Sequence, residues 1–329
     1  MRSTFSKLVR KYQTKKEDIE LVKVAKISII ALMAALPGMS FAQEVTGVAT
    51  LGYGTGDISD GGGDFGSFTA DAIATVNFEN GLFWGLGAKY IYLDPDDVPG
   101  DETIYNLDTN LNYQFSNGAV IGGYIEYADD EIDTGLGFDL SGNSTSYGVS
   151  GGYVSGGAGF EAWVGQTDTS PSLPGGDDFL DYGALFRYQL SEEGVFGGHI
   201  ARSDASVGSV DLDLYSLGLG GRFEFAPGWG AFGGISRQSL TDFDVDATTF
   251  GLGVDYNLVN VTGFPLQLSL ELSRTNLDAG GADADIDTVR FGLTVPFGGR
   301  ISATPLNSVA RAAMAPRYNT FNTLVDTAF

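Results

Sequence analysis

The sequence predicts an all-β chain, closed into a transmembrane antiparallel up-and-down barrel of about 14 strands. Three observations carry that expectation. Apolar residues recur with period two from Val45 to Phe297, the spacing that sends alternate side chains to opposite faces of a strand. The links between these segments alternate between short turns and longer acidic stretches. The number of segments is even, as up-and-down closure between hairpins requires.

Residues 1–42 read as an address ahead of the fold. Lys23 and Lys26 precede an apolar run from Ile27 to Leu36, and Pro37-Gly38 and Ser40-Phe41-Ala42 follow, a pattern that predicts a secretory signal cleaved before Gln43. The apolar run is too short to span a bilayer as a helix. Residues 1–21 are long for the charged part of such a signal, which places the expected translation start near Val22.

Fourteen strand segments follow, starting near residues 45, 67, 82, 103, 119, 145, 158, 179, 195, 212, 229, 247, 265 and 288. The fourth shows the alternation most plainly. Tyr105, Leu107, Thr109, Leu111, Tyr113 and Phe115 fall on one face, and Asn106, Asp108, Asn110, Asn112 and Gln114 on the other. One face suits hydrocarbon and the other water. Trp84, Tyr90, Tyr92, Tyr113, Phe115, Tyr153, Tyr188, Phe225, Trp229 and Tyr256 lie near strand ends, where interfacial girdles belong. Glycine makes up 48 of the 329 residues, about twice the ordinary share of ~7%, and many glycines stand inside strands, where they let a tilted wall bend and leave space in the lumen.

The short links carry tight-turn chemistry, as in Glu79-Asn80-Gly81, Ser116-Asn117-Gly118 and Ala226-Pro227-Gly228. The long ones are expected near residues 54–66, 94–102, 129–144, 168–178, 204–211, 241–246 and 278–287. They hold 25 acids and neither Lys nor Arg. A soluble sandwich or propeller has no reason to segregate its loops in this way.

Composition narrows the function. With 42 acids against 18 bases the net charge is −24, which speaks against nucleic acid as a partner. The absence of Cys and the single His199 leave no thiolate or poly-His metal site, and no cofactor or metal is expected. Gly148-Val149-Ser150-Gly151-Gly152 spells a nucleophile elbow but sits in a strand with no helix after it, so an enzyme is not expected.

The last strand, Val289-Arg290-Phe291-Gly292-Leu293-Thr294-Val295-Pro296-Phe297, resembles the terminal assembly signal of bacterial outer-membrane β-barrels, with a closing aromatic and apolar residues at every second position. Over residues 43–297 the chain resembles the porin-like superfamily of these Gram-negative barrels. The resemblance implies location in the cell outer membrane, contact with its lipid and lipopolysaccharide, insertion by the barrel-assembly machinery, and a monomer or homotrimer. No porin-specific constriction motif stands in the chain. In the family that strand usually ends the protein, whereas 32 residues follow here. Thr304-Pro305 opens a short helix through Ala315, and residues 298–329 are read as a periplasmic tail, with a lumen plug or an extra strand pair as the alternatives.

Strand parity sends Asp71, Asp108, Glu126, Glu161, Asp181, Glu224, Asp255 and Glu271 into the lumen, against Lys89, Arg187, Arg222 and Arg290. Eight acids to four bases predicts a cation-preferring passage for small hydrophilic solutes by passive diffusion, an ion-transporting channel strengthened by the acidic mouth. The alternative is a closed structural or adhesive barrel without transport. Asp129, Asp130, Glu131 and Asp133, in the longest link, are expected to narrow or charge the mouth as a constriction loop. Arg202, Arg237 and Arg274 recur 35 to 37 residues apart at outer strand ends, where they either grip lipopolysaccharide phosphate or pair with loop acids.

Overall fold

The structure, a computed structural model, describes residues 43–59, 62–96, 100–133, 139–172, 178–191, 194–207, 210–298 and 303–328. The expected signal segment lies outside the described residues. Fourteen strands form the wall: β1 (Gln43–Ile58), β2 (Gly63–Phe78), β3 (Leu82–Pro95), β4 (Asp101–Gln114), β5 (Ala119–Asp133), β6 (Asp139–Ser155), β7 (Ala158–Ser170), β8 (Phe179–Ser191), β9 (Gly194–Val207), β10 (Val210–Ala226), β11 (Trp229–Leu240), β12 (Val245–Asn257), β13 (Gln267–Ala279) and β14 (Ala282–Phe297). Each pairs antiparallel with its sequence neighbour, and β1 closes on β14 from Gly47↔Phe297 to Ile58↔Ile286. Closure removes both sheet edges, whose unpaired amides would each cost several kcal/mol in hydrocarbon. The architecture is a closed, antiparallel up-and-down barrel of fourteen strands.

The strands are longer than the sequence pattern suggests. They run 12 to 17 residues, whereas ~9–11 tilted residues cross a bilayer, so the ladders continue into water. Most of the expected long loops are therefore strand. The clearest correction concerns the proposed constriction loop. Asp129, Asp130, Glu131 and Asp133 lie in β5 and pair with Asn143, Gly142, Ser141 and Asp139 of β6. Asp129 shares the outer face with Tyr127, whose hydroxyl donates to it at 2.7 Å, and parity puts Glu131 and Asp133 on that face as well. Of the four, Asp130 alone points inward. No fold-in loop starts there, because the backbone satisfies its hydrogen bonds by extending the hairpin.

The outer face is apolar, with Leu252 70% exposed and Leu272 59%. Aromatics cluster at both rims: Tyr113 against Phe115 (4.9 Å between centroids) and Trp229 against Tyr256 (4.7 Å) at the short-turn end, Tyr90 against Tyr105 (5.1 Å) at the other. Leu252 is central in β12. Leu252→Arg is expected to lower folding stability by about 2–4 kcal/mol, the cost of a cation on the lipid face near the midplane. Urea unfolding in lipid vesicles measures it, and a cost below about 0.5 kcal/mol would remove Leu252 from the hydrocarbon.

After β11 comes a single 3-10 turn (Thr241–Phe243), and after β12 a one-turn helix α1 (Val259–Thr262). Two further helices follow the barrel: α2 (Val309–Met314) and α3 (Thr320–Ala328). They pack against the inner face.

Candidate functional site: the lumen and its occupant

Strand parity puts all twelve lumen-assigned charges on the inner face, where an open pore would leave them wet. Most are not wet. Asp71, Lys89, Glu126, Asp181, Arg222, Asp255, Glu271 and Arg290 are buried, and Glu126 is 1% exposed. Their cover is residues 303–328, so the periplasmic reading of this segment is corrected: it fills the lumen. The physical reason is that many polar side chains of the wall, among them Gln267, Glu271, His199, Asp108, Glu126 and Asp181, find partners in it.

The segment can be followed upward from β14. Gln267 grips the backbone of Ala303, its Nε2 donating to the carbonyl at 2.8 Å and its Oε1 accepting the amide at 3.1 Å. Thr50 accepts the Leu306 amide at 3.1 Å. Ser308 caps α2, its Oγ accepting the Arg311 amide at 3.2 Å. Glu271, ion-paired to Arg290 at 3.2 Å, accepts the Val309 amide at 3.0 Å, so an anion meets the exposed first-turn donors of the helix. His199 bridges wall and helix, with Nδ1 2.8 Å from the Ala313 carbonyl and Nε2 2.8 Å from Ser216 Oγ. The carbonyl requires a proton on Nδ1, which leaves Nε2 to accept from the serine.

Helix α2 rests on glycines. Gly197, Gly220, Gly234 and Gly251 are directly opposite one another across β9, β10, β11 and β12, a transverse row on the inner face. A Cβ at Gly234 would sit 2.9 Å from Ala310 Cα, and one at Gly251 2.8 Å from Val309 Cγ2. Small residues on both sides let helix and sheet backbones approach closely, and Val309, Ala310, Ala313 and Met314 are all buried there.

Past α2 the chain turns through Arg317 and Tyr318. Arg317 donates to Asp108 at 2.8 Å and to Asp326 at 2.7 Å, and Asp326 also pairs with Lys89 at 2.9 Å. Burial pushes the Asp326 carboxyl up, but Arg317 and Lys89 outweigh it and hold the group below the usual carboxylate range. Burial also raises the Tyr318 phenol. The Tyr318 ring stacks on Tyr124 at 3.6 Å, and Trp163 donates to its carbonyl at 3.1 Å. Asn319 donates to Asp181 at 3.0 Å, Thr320 N–H to Ser203 at 3.0 Å, Asn322 to Glu126 at 2.8 Å, and Gln238 to Thr327 at 3.2 Å.

Other charges pair within the wall. Arg222 holds Asp255 through two nitrogens, at 2.9 and 2.7 Å. Arg187 and Glu224 face the lumen toward its short-turn end. On the outer face, each rim arginine meets the chain's own carboxylates: Arg202 with Asp204 and Asp213, Arg237 with Asp246, Arg274 with Asp285 and Asp287. A lipopolysaccharide phosphate would have to displace these partners.

Two cavities flank the segment. One, of about 210 Å3, lies between it and the β2–β8 side of the wall and is lined by Asp71, Lys89, Asp108, Glu126, Glu161, Trp163, Arg311, Arg317 and Asp326 among others. The second, of about 250 Å3, lies at the long-link end between β4–β7 and α3, bounded by Ile104, Ala128, Pro171 and Phe321. Beside it, Phe65, Ile91, Leu93 and Ile104 form an apolar cluster on the inner wall.

No family model matches the chain, and no curated protein sequence matches it either. Among solved structures, it is similar to an anion-selective porin from Comamonas acidovorans (12% identity, TM-score 0.47, covering 78% of this chain and 99% of that one). It is similar also to a Pseudomonas aeruginosa FadL homologue (12%, 0.48, 78% and 91%) and to a BenF-like porin from Pseudomonas fluorescens Pf-5 (10%, 0.41, 78% and 98%).

Proposed function

We propose that this chain is an outer-membrane channel for small hydrophilic solutes, preferring cations, that rests closed with its own C-terminal segment in the passage. One observation carries the reading: the interior of the cylinder is polar. A barrel built only as a solid pillar gains most from an aliphatic core, yet here Ser, Thr, Asn and charged residues line the wall, and the occupant is held largely by hydrogen bonds and ion pairs that water can replace. The eight inward acids against four inward bases support cation preference. Arg311 and Arg317 come with the segment against the one acid Asp326 and offset part of that excess, so its departure leaves a more acidic bore.

The test is planar-bilayer conductance in a salt gradient, comparing the full chain with a chain ending at Phe297. The full chain is expected to give small or no steps. The shortened one is expected to give ohmic steps with a cation-selective reversal potential, steeper at low salt. A second reading, a closed structural or adhesive barrel, is favoured by the number of hydrogen bonds and ion pairs that tie the segment to the wall. A shortened barrel that inserts, stays heat-modifiable on gels and passes no current would establish it.

A further inference from the structure

The 210 Å3 cavity beside the C-terminal segment is unbalanced in charge. Five carboxylates line it (Asp71, Asp108, Glu126, Glu161 and Asp326) against three cations (Lys89, Arg311 and Arg317). Most of the acids are engaged. Asp108 and Asp326 hold Arg317, Asp326 also holds Lys89, Glu126 accepts from Asn322, and Glu161 meets the Tyr318 hydroxyl at 3.5 Å. Asp71 differs. It stands directly opposite Lys89 in the β2–β3 ladder, the natural place for an ion pair, but the Lys89 ammonium makes its close contact, at 2.9 Å, with Asp326. Asp71 is 4% exposed and its Oδ2 has no hydrogen-bond partner. A buried carboxylate oxygen left unmatched costs free energy that a ligand can recover.

We infer that this cavity is a binding site for a small organic ammonium ion, its N–H donors meeting Asp71. The inference rests on the channel reading and names a solute class for it. A carboxylate acceptor calls for a donor, and the local excess of negative charge calls for a positive one. Among the described residues no group of three or more carboxylate or imidazole side chains converges closely enough to hold a metal ion, so the acids are spread around a space rather than focused on a point. That arrangement suits an N–H-bearing cation with a short carbon body, which the Trp163 and Leu185 walls of the cavity accommodate.

Calorimetry on the full chain in detergent tests this without requiring conduction. The probe is n-butylammonium, and 1-butanol, of nearly the same size, is the neutral control. Wild type is expected to bind the ammonium and to give no heat with the alcohol. Asp71→Asn, which keeps shape and removes charge, is expected to weaken ammonium binding at least tenfold. Absence of ammonium binding, equal binding of the alcohol, or undiminished binding in Asp71→Asn would each overturn the assignment. The ammonium-against-alcohol comparison needs no variant and decides the matter even if the substituted barrel fails to assemble. A silent bilayer recording from the shortened chain would count against the channel and leave this binding result standing.

Discussion

Leucine in place of both Gly220 and Gly234 is expected to evict α2 from the wall and release the C-terminal segment, while the barrel itself persists. At position 234 even a Cβ would lie 2.9 Å from Ala310 Cα and from the Val309 carbonyl oxygen, and at position 220 it would lie 2.6 Å from the Ala310 carbonyl oxygen. These are backbone atoms of a helix, so no rotamer change relieves the overlap. Overpacking of this kind costs about 1–3 kcal/mol per site even where neighbours adjust, and two sites under one six-residue helix leave it nowhere to move except away. The β9–β12 ladder keeps its hydrogen bonds, since the added side chains point into the lumen. Limited trypsinolysis reads the outcome, because Arg311 and Arg317 lie within the segment. Cleavage there is expected to accelerate at least tenfold over wild type, with gel heat-modifiability unchanged. A segment equally resistant in the variant would mean that the glycine row is not what seats the helix.

That row shows what the sequence discloses and what it withholds. Period-two alternation is a local property, and it was enough to give the strand number, the two faces and the inward charges, because lipid on one side and polarity on the other leave a strand little choice of register. Strand length was not legible. Asp129 to Asp133 look like loop because acids are rare in buried sheet, but beyond the membrane an extended hairpin meets water on both faces and tolerates them. The segment's destination was hidden for a different reason. Val309-Ala310-Arg311-Ala312-Ala313-Met314 is an unremarkable short helix by itself, and its meaning lies in glycines 58 to 112 residues upstream that become neighbours only when the barrel closes. A signal did exist: Gly197, Gly218, Gly220, Gly234 and Gly251 all carry inward parity on four consecutive strands. A wall that bare on one side leaves room for another backbone.

Arg317→Met is expected to loosen the segment most strongly of any single side-chain replacement within it. The guanidinium is the hub joining Asp108 of the wall to Asp326 of α3, and Asp326 in turn holds Lys89. Methionine keeps much of the apolar stem and removes only the charge, so Asp108 loses its partner and Asp326 keeps half of its compensation. Removing one member of a buried ionic network costs about 3–5 kcal/mol, mainly from the charge left behind rather than from the attraction lost. By the factor of ten per ~1.4 kcal/mol, amide hydrogen exchange across α3 should quicken by about two to three and a half orders of magnitude. Exchange in the β1–β14 ladder should be unaffected, because that ladder is held by its own backbone hydrogen bonds and carries none of the network's side chains. Replacing Asp108 by Asn in the same chain is expected to restore part of the protection, since it removes the carboxylate that Arg317→Met strands while Asp326 keeps Lys89. Wild-type exchange rates in Arg317→Met would show that packing on the glycine row and around Tyr318 holds the segment, and that the ionic hub only orients it.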